Sequence, residues 1–220
     1  MENERLPERL PERLLRLIDR IPALDEEAAA AARARLDRLT KPPGSLGRLE
    51  ALAVQLSGIA GGLVLKPPKK AVVVMAGDHG VCEEGVSAYP QEVTAQMAAN
   101  FLSGGAAINV LAGQAGADVI LADLGMKADI SAARAGAGPS GATGAPPAQG
   151  AGASARFEAL KVRPGTGNIA RGAAMTRAEA LRAIAAGAEL AERLVKDGYG
   201  LLATGEMGIG NTTPSAAVAA

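Results

Sequence analysis

A strand that runs into a glycine-rich turn and a proline-headed helix admits few folds. Residues 205–215, Gly-Glu-Met-Gly-Ile-Gly-Asn-Thr-Thr-Pro-Ser, have that form. The apolar run at 199–204 predicts a buried strand before them. Pro214 suits a first helical position, where its missing N–H would be unpaired anyway. Thr213 then falls at the N-cap. Glycines let a backbone approach an anion closely, and a helix start offers free N–H groups and partial positive charge. The turn is not a Walker loop, since no Gly-Lys-Ser/Thr follows, and it is not Gly-x-Gly-x-x-Gly. Two readings therefore stand, a phosphate cradle and an ordinary tight turn. Glu206 points to a larger ligand, because a carboxylate there suits ribose hydroxyls or a nitrogen heterocycle and would repel phosphate.

Composition narrows the class. A chain of 220 residues, 48% hydrophobic and 21% charged, suits one soluble α/β domain with a small appendage. Its formal net charge of zero argues against a nucleic-acid binder, and 2% aromatics against base-stacking platforms. One cysteine, Cys82, excludes an intramolecular disulfide and fits a reducing compartment. No apolar stretch reaches membrane length and the amino terminus is charged, so a cytoplasmic protein with no membrane partner is expected.

Prolines 7, 11 and 22 confine the first 22 residues to a tail with a short helix near 13–20. Asp25 caps a helix to about residue 39, and Ser45 starts another with Leu46, Leu49, Leu52 and Leu56 on one stripe. These form a helical appendage over 1–65. Residues 71–76 are a continuous apolar run, as in a strand buried on both faces. It ends in Gly77-Asp78-His79-Gly80, and functional groups of open α/β sheets gather beyond the carboxyl ends of strands. Asp78 and His79 are thus site candidates, against the alternative that they make turn hydrogen bonds. His79 is the single histidine, which excludes a multi-histidine metal site.

A loop at 81–89 leads to Pro90, which opens a helix with Val93, Met97 and Phe101 on one face, a core stripe before a ligand surface. A second helix over 106–114 and a strand over 119–125 follow. Cys82 lacks the basic neighbours that make a thiolate and reads as a bystander. Residues 128–155 are nearly all Ala, Gly, Pro, Ser and Thr, the composition of a flexible insertion. A strand at 157–162, a second glycine-rich loop at 163–171, and a helix with a Thr176–Glu179 capping box closed by Gly198 complete the pattern. Alternating strands and helices imply a parallel sheet. The end, apolar and uncapped, reads as that of an incomplete chain.

Six stretches, 41–50 (Lys-Pro-Pro-Gly-Ser-Leu-Gly-Arg-Leu-Glu), 76–81 (Ala-Gly-Asp-His-Gly-Val), 93–97, 100–109, 165–170 (Gly-Thr-Gly-Asn-Ile-Ala) and 205–214, stand in this order. In them the chain resembles the nicotinate-nucleotide–dimethylbenzimidazole phosphoribosyltransferase family, over residues 24–220 apart from 128–155. The resemblance implies a Rossmann-like parallel sheet over 71–220 with a small helical domain, a homodimer, and no metal or organic cofactor. It implies transfer of phosphoribose from nicotinate mononucleotide to 5,6-dimethylbenzimidazole, with inversion, giving α-ribazole phosphate for cobalamin assembly. Gly208, Asn211, Thr212 and Thr213 match phosphate and ribose contacts, Glu206 a glutamate beside the substrates, and Gly77, Asp78 and His79 the site's edge. Tyr89 and Met97 match the lining of the benzimidazole pocket. The family's general base matches no residue within position 220, so a non-catalytic nucleotide- or azole-binding module is the alternative.

Overall fold

In a computed structural model of the chain, residues 12–130 and 155–220 are described. Two compact units divide them, Met1–Pro67 and Pro68–Ala220.

In the first unit, helix α1 spans Glu12–Asp19, α2 Glu26–Asp37 and α3 Arg48–Ala60. Asp25 caps α2, its side chain accepting from the Ala28 N–H at 2.9 Å. The Asp25 N–H in turn donates to the Gly58 carbonyl at 2.9 Å, fastening α2 to α3. Ser45 does not start α3. The chain turns first, Gly47 takes a positive φ of 54° that a side chain would disfavour, and the helix begins at Arg48. Lys41 Nζ lies 2.8 Å from Glu50 Oε1, and that contact and the Leu46 N–H hold the Glu50 carboxyl below its ordinary range. Leu49, Leu52, Leu56 and Ile59 are exposed on this unit.

The second unit is built on four parallel strands, β1 Lys69–Gly77, β2 Ala117–Gly125, β3 Arg156–Ala159 and β4 Tyr199–Met207, in the spatial order β3-β2-β1-β4. Between β1 and β2 come α4 (Val93–Ser103) and α5 (Ala107–Ala115). Between β3 and β4 comes α6 (Arg177–Lys196), and α7 (Thr212–Ala219) follows β4. Alternate side chains of a strand face opposite ways. Accordingly Val74 and Ala76 of β1 and Val119 and Leu121 of β2 pack with Ala98, Phe101 and Leu102 of α4. Ala71, Val73, Ile120 and Ala122 pack on the other face with Leu190 and Leu194 of α6. Helices thus cover both faces, which is why β1 over 71–76 and β2 over 119–122 are continuously apolar.

Several boundaries differ from the sequence expectation. Pro90 does not open α4. The Val93 and Thr94 N–H groups close turns on the Pro90 and Gln91 carbonyls, and helix begins at Val93. The buried face of α4 is Thr94, Ala98, Phe101 and Leu102, with Val93 and Met97 half-buried beside it. β3 is shorter than 157–162 because its ladder to β2 ends at the Asp123–Ala159 pair. β4 is a mostly exposed edge among the described strands, and it runs on through Glu206 to Met207 because its pairing with β1 continues to Ala76. The loop expected at 81–89 begins as a 3-10 turn, Gly80–Glu84. Most of the 128–155 insertion lies outside the described residues. Its flanks do not: Ile130 and Ala155 are buried in the α4-face core, and the Ala155 N–H donates to the Phe101 carbonyl at 3.2 Å.

Candidate functional site

The strand order changes direction between the parallel neighbours β1 and β4. One crossover departs from β1 toward β2 and another arrives at β4 from the far edge, so the carboxyl ends of β1 and β4 lie at the switch point of the strand order, where open α/β sheets place their crevice. His79, two residues past β1, and Glu206, near the end of β4, meet across it, with His79 Nε2 3.0 Å from Glu206 Oε1. The Asn211 side-chain amide donates to Glu206 Oε2 from the other side. The carboxylate is thereby held by both oxygens while its side chain stays more than one-third exposed. This is an oriented anion, open to a ligand.

Gly208 explains the glycine at that place. A Cβ there would lie 2.3 Å from the Gly77 carbonyl oxygen, 2.6 Å from Glu206 Oε1 and 2.6 Å from His79 Nε2. Gly210 has φ 79° and turns the chain into α7. Thr213 is not the N-cap. The Asn211 N–H bonds to the Gly208 carbonyl and Thr213 to Gly210, so the chain is already wound before Thr213. Asn211 is the cap residue, at φ −58° and ψ −24°, Thr212 opens α7, and Pro214 falls third in it. The proline still sits within the first turn, whose N–H groups have no partner inside the helix.

The turn is held from α4 and from the 3-10 segment. The Ile209 N–H donates to Thr94 Oγ1 at 3.0 Å, and Thr94 is fully buried. Cys82 Sγ donates to the Ile209 carbonyl at 2.8 Å. Burial, and secondarily the Asp78 carboxylate, push the Cys82 thiol up, so it serves as a protonated donor. Cys82 is therefore a strut of the loop.

Asp78 is 4% exposed and joins three segments. Its N–H bonds to the Gly125 carbonyl at 3.0 Å, its carbonyl accepts from the Thr166 N–H at 2.9 Å, and its Oδ2 accepts from the Lys127 N–H at 2.7 Å. Its Oδ1 is buried with no hydrogen-bond partner among the described residues. The turn reading of Asp78 thus holds for its backbone and Oδ2, while Oδ1 is left for something else. Gln91 ties the same region together, donating to the His79 carbonyl at 2.8 Å and accepting from Lys127 Nζ at 2.6 Å. The second glycine-rich loop lies against Gly80, where a Cβ would come within 2.6 Å of Gly167, and Arg171 pairs with Glu83 and Glu84 at 3.0 and 2.9 Å.

On the α6 side of the crevice a cavity of about 190 Å³ opens between the ends of β1 and β2 and the start of α6. Met75, Leu124, Val162, Met175 and Ala183 make its apolar walls. Asp78, His79, Arg163, Glu179 and Glu206 supply its polar ones. Arg163 Nη1 is 3.1 Å from Glu179 Oε2. The Thr176 hydrogen bonds, with Arg163 adding, hold the Glu179 carboxyl below its ordinary range.

The structure brings together Gly77, Asp78, His79, Glu206, Gly208 and Asn211. Thr212 and Thr213 follow in the first turn of α7. Met97 sits half-buried against the α4-face core, and Tyr89 is 68% exposed; neither lines the cavity. Thr94, Gln91, Lys127 and Thr166 escaped the sequence reading. Thr94 and Thr166 stand inside the 93–97 and 165–170 stretches, but Gln91, Lys127 and Thr166 act through partners 12 to 86 positions away, which no local pattern reveals. Among the described residues no cluster of histidine, cysteine or carboxylate side chains suits a metal ion, and no helix is long and apolar enough to cross a membrane.

Comparison with known proteins adds an independent line. A family model described as phosphoribosyltransferase matches residues 21–220. The chain is 48% identical over 205 residues to a nicotinate-nucleotide–dimethylbenzimidazole phosphoribosyltransferase of Desulforudis audaxviator, covering 93% of this chain and 52% of that protein. It is 49% identical over 208 residues to the protein of the same name from Desulforamulus reducens, covering 94% and 53%. The crystal structure of such an enzyme from Thermus thermophilus superposes with a TM-score of 0.72 at 47% identity, covering 89% of this chain and 53% of that one. The chain spans about half the length of the curated relatives it matches.

Proposed function

Since the chain belongs to the nicotinate-nucleotide–dimethylbenzimidazole phosphoribosyltransferase family, we propose that its β1–β4 crevice serves phosphoribosyl transfer from nicotinate mononucleotide to 5,6-dimethylbenzimidazole. The observation that carries this reading is the Glu206 carboxylate held between His79 and Asn211 over the glycine turn. The C1–N bond of the nucleotide breaks with its electron pair going to the pyridinium nitrogen, which leaves neutral. The ribose gains positive charge as it does so, and a carboxylate fixed beforehand stabilises that charge without reorganising. The azole's unprotonated ring nitrogen then bonds to C1, and the proton on its other nitrogen passes to water. Glu206 is the catalytic group of this reading, and Gly208, Asn211, Thr212 and Thr213 hold phosphate and ribose at the start of α7. Gly77, Asp78 and His79 form the rim, and Tyr89 and Met97 face the azole. A cytoplasmic homodimer, with no cofactor and no nucleic-acid partner, completes the proposal. Incubating the chain with both substrates and resolving α-ribazole phosphate and nicotinate by chromatography tests it. Equimolar appearance of both is expected, and their absence from a sample that binds neither substrate sinks the reading.

A further inference from the structure

The glycine turn beside Glu206 is placed from outside the crevice. Its middle residue, Ile209, is held by Thr94 at the N–H and by Cys82 at the carbonyl. Gly210 comes so close to the same segment that a Cβ there would lie 2.7 Å from Cys82 Sγ and 3.3 Å from Val86. Thr94 is fully buried within α4 and needs no further support. Cys82 belongs to the short 3-10 turn Gly80–Glu84, whose hydrogen bonds are poorly aligned by nature. The precision of that turn has to come from what it packs on.

It packs on the second glycine-rich loop, and both of its ends are fixed there. At the start, the Gly80 N–H donates to Thr166 Oγ1 at 3.2 Å, and the absent Cβ of Gly80 lets the backbone lie against Gly167. At the end, the Asn168 side-chain amide donates to Glu84 Oε1 at 2.7 Å. Arg171 Nη2 reaches the same oxygen at 2.9 Å, and its Nη1 reaches Glu83 Oε2 at 3.0 Å. One turn of the loop carries both gripping side chains, since Asn168 Oδ1 accepts from the Ala170 N–H and the Asn168 carbonyl from the Arg171 N–H, each at 3.0 Å. A lone exposed ion pair contributes little. Here an amide and a guanidinium share one carboxylate from a single turn, and hydrogen bonds to a charged group are the stronger kind. We propose that Asn168 and Arg171 are positioning residues of the glycine turn. By clamping Glu83 and Glu84 they keep Cys82 on the Ile209 carbonyl, and so keep Gly208 against His79 and Glu206. The consequence for nucleotide binding rests on the phosphoribosyl-transfer reading above, whereas the mechanical link does not.

The single cysteine and the single histidine of the chain report on the two ends of this link. Asn168→Asp keeps the Oδ1 that serves Ala170 and sets a second carboxylate oxygen against Glu84 in place of the donor. It is expected to speed iodoacetamide alkylation of Cys82 by about tenfold or more, the mark of a loosened local contact. The imidazole resonances of His79 shift with it, and calorimetry shows weaker nicotinate mononucleotide binding. Adding Glu84→Gln to Asn168→Asp restores a donor to the pair and reverses all three changes. Arg171→Gln, at a side chain 65% exposed, acts in the same direction and supplies the result if Asn168→Asp does not fold. Unchanged alkylation and unchanged His79 signals in the folded variants overturn the clamp. So does faster alkylation that follows only a fall in the urea midpoint while His79 stays still, because that is general destabilisation. A loss that Glu84→Gln fails to reverse overturns it as well. If Cys82 and His79 respond as expected in a chain that binds no nucleotide before substitution, the clamp stands and the phosphoribosyl reading alone falls.

Discussion

His79 Nε2 and Glu206 Oε1 stand 3.0 Å apart although 127 positions separate them in the chain. The contact joins the ends of β1 and β4, strands that pair side by side although β2 and β3 come between them in the chain. Glu206 is held there by two side chains rather than by burial.

Replacing that carboxylate by an amide of the same shape isolates its charge. Glu206→Gln is expected to lower the rate of α-ribazole phosphate formation about 100-fold or more, the scale for loss of one positioned catalytic group. Nicotinate mononucleotide affinity, read by calorimetry, changes far less. A rate within a few-fold of the parent would remove Glu206 from the chemistry.

Gly208 leaves no room for a side chain, with backbone at 2.3 Å from its ideal Cβ. Gly208→Ala is expected to destabilise the second unit by roughly 1–3 kcal/mol through overpacking and to weaken nucleotide binding by displacing the turn. Urea unfolding followed by circular dichroism checks the first part. An alanine variant as stable as the parent contradicts the crowding.

Thr94 supplies the hydroxyl that receives the Ile209 N–H. Thr94→Val keeps the branched shape and strands that donor, at a cost of about 1–3 kcal/mol. Thr94→Ser keeps the acceptor and recovers most of the loss. If valine and serine behave alike in denaturant, packing and not the hydrogen bond is what the position provides.

Two groups give pH signatures of opposite sign. Glu179 has its carboxyl lowered in the folded chain, so the unfolded state binds the proton first as pH falls. Its contribution is fully present above the ordinary carboxylate range and is lost as pH drops through the lowered value. Glu179→Gln is expected to flatten the acid limb of a stability-against-pH curve. Cys82 is raised by burial and by Asp78, so the folded chain keeps the thiol proton longer. Stability therefore declines as pH rises from the ordinary thiol range toward the raised value. Alkylation by iodoacetamide stays slow until pH passes that range, and fast alkylation at neutral pH contradicts the strut role.

The sequence reading reached the sheet through local pattern. The apolar run around Val72–Val74 needs cover on two sides, and the Thr176–Glu179 box with Gly198 brackets one helix, because capping acts within four residues. It misjudged onsets where a proline or hydroxyl offered a plausible start and the backbone had already committed. Asn211 reaches helical angles two residues before Thr213, and Pro90 only closes a turn before Val93. It also took Cys82 as idle, since the partner of its thiol lies 127 positions away.

What the sequence by itself determined is which elements form and which chemistry they carry. A strand, a glycine turn and a hydroxyl-rich helix start stand at 199–215, and a second strand ends in Asp-His. Those outcomes follow from side-chain periodicity and backbone preference over a few residues. What only the tertiary structure decided is that β4 pairs with β1 rather than with β3, its neighbour in sequence. That pairing brings Glu206 to His79, Gly208 against Gly77, and Ile209 between Thr94 and Cys82. Strand order is set by which faces α4, α5 and α6 bury together, a balance of the whole core that no local pattern encodes.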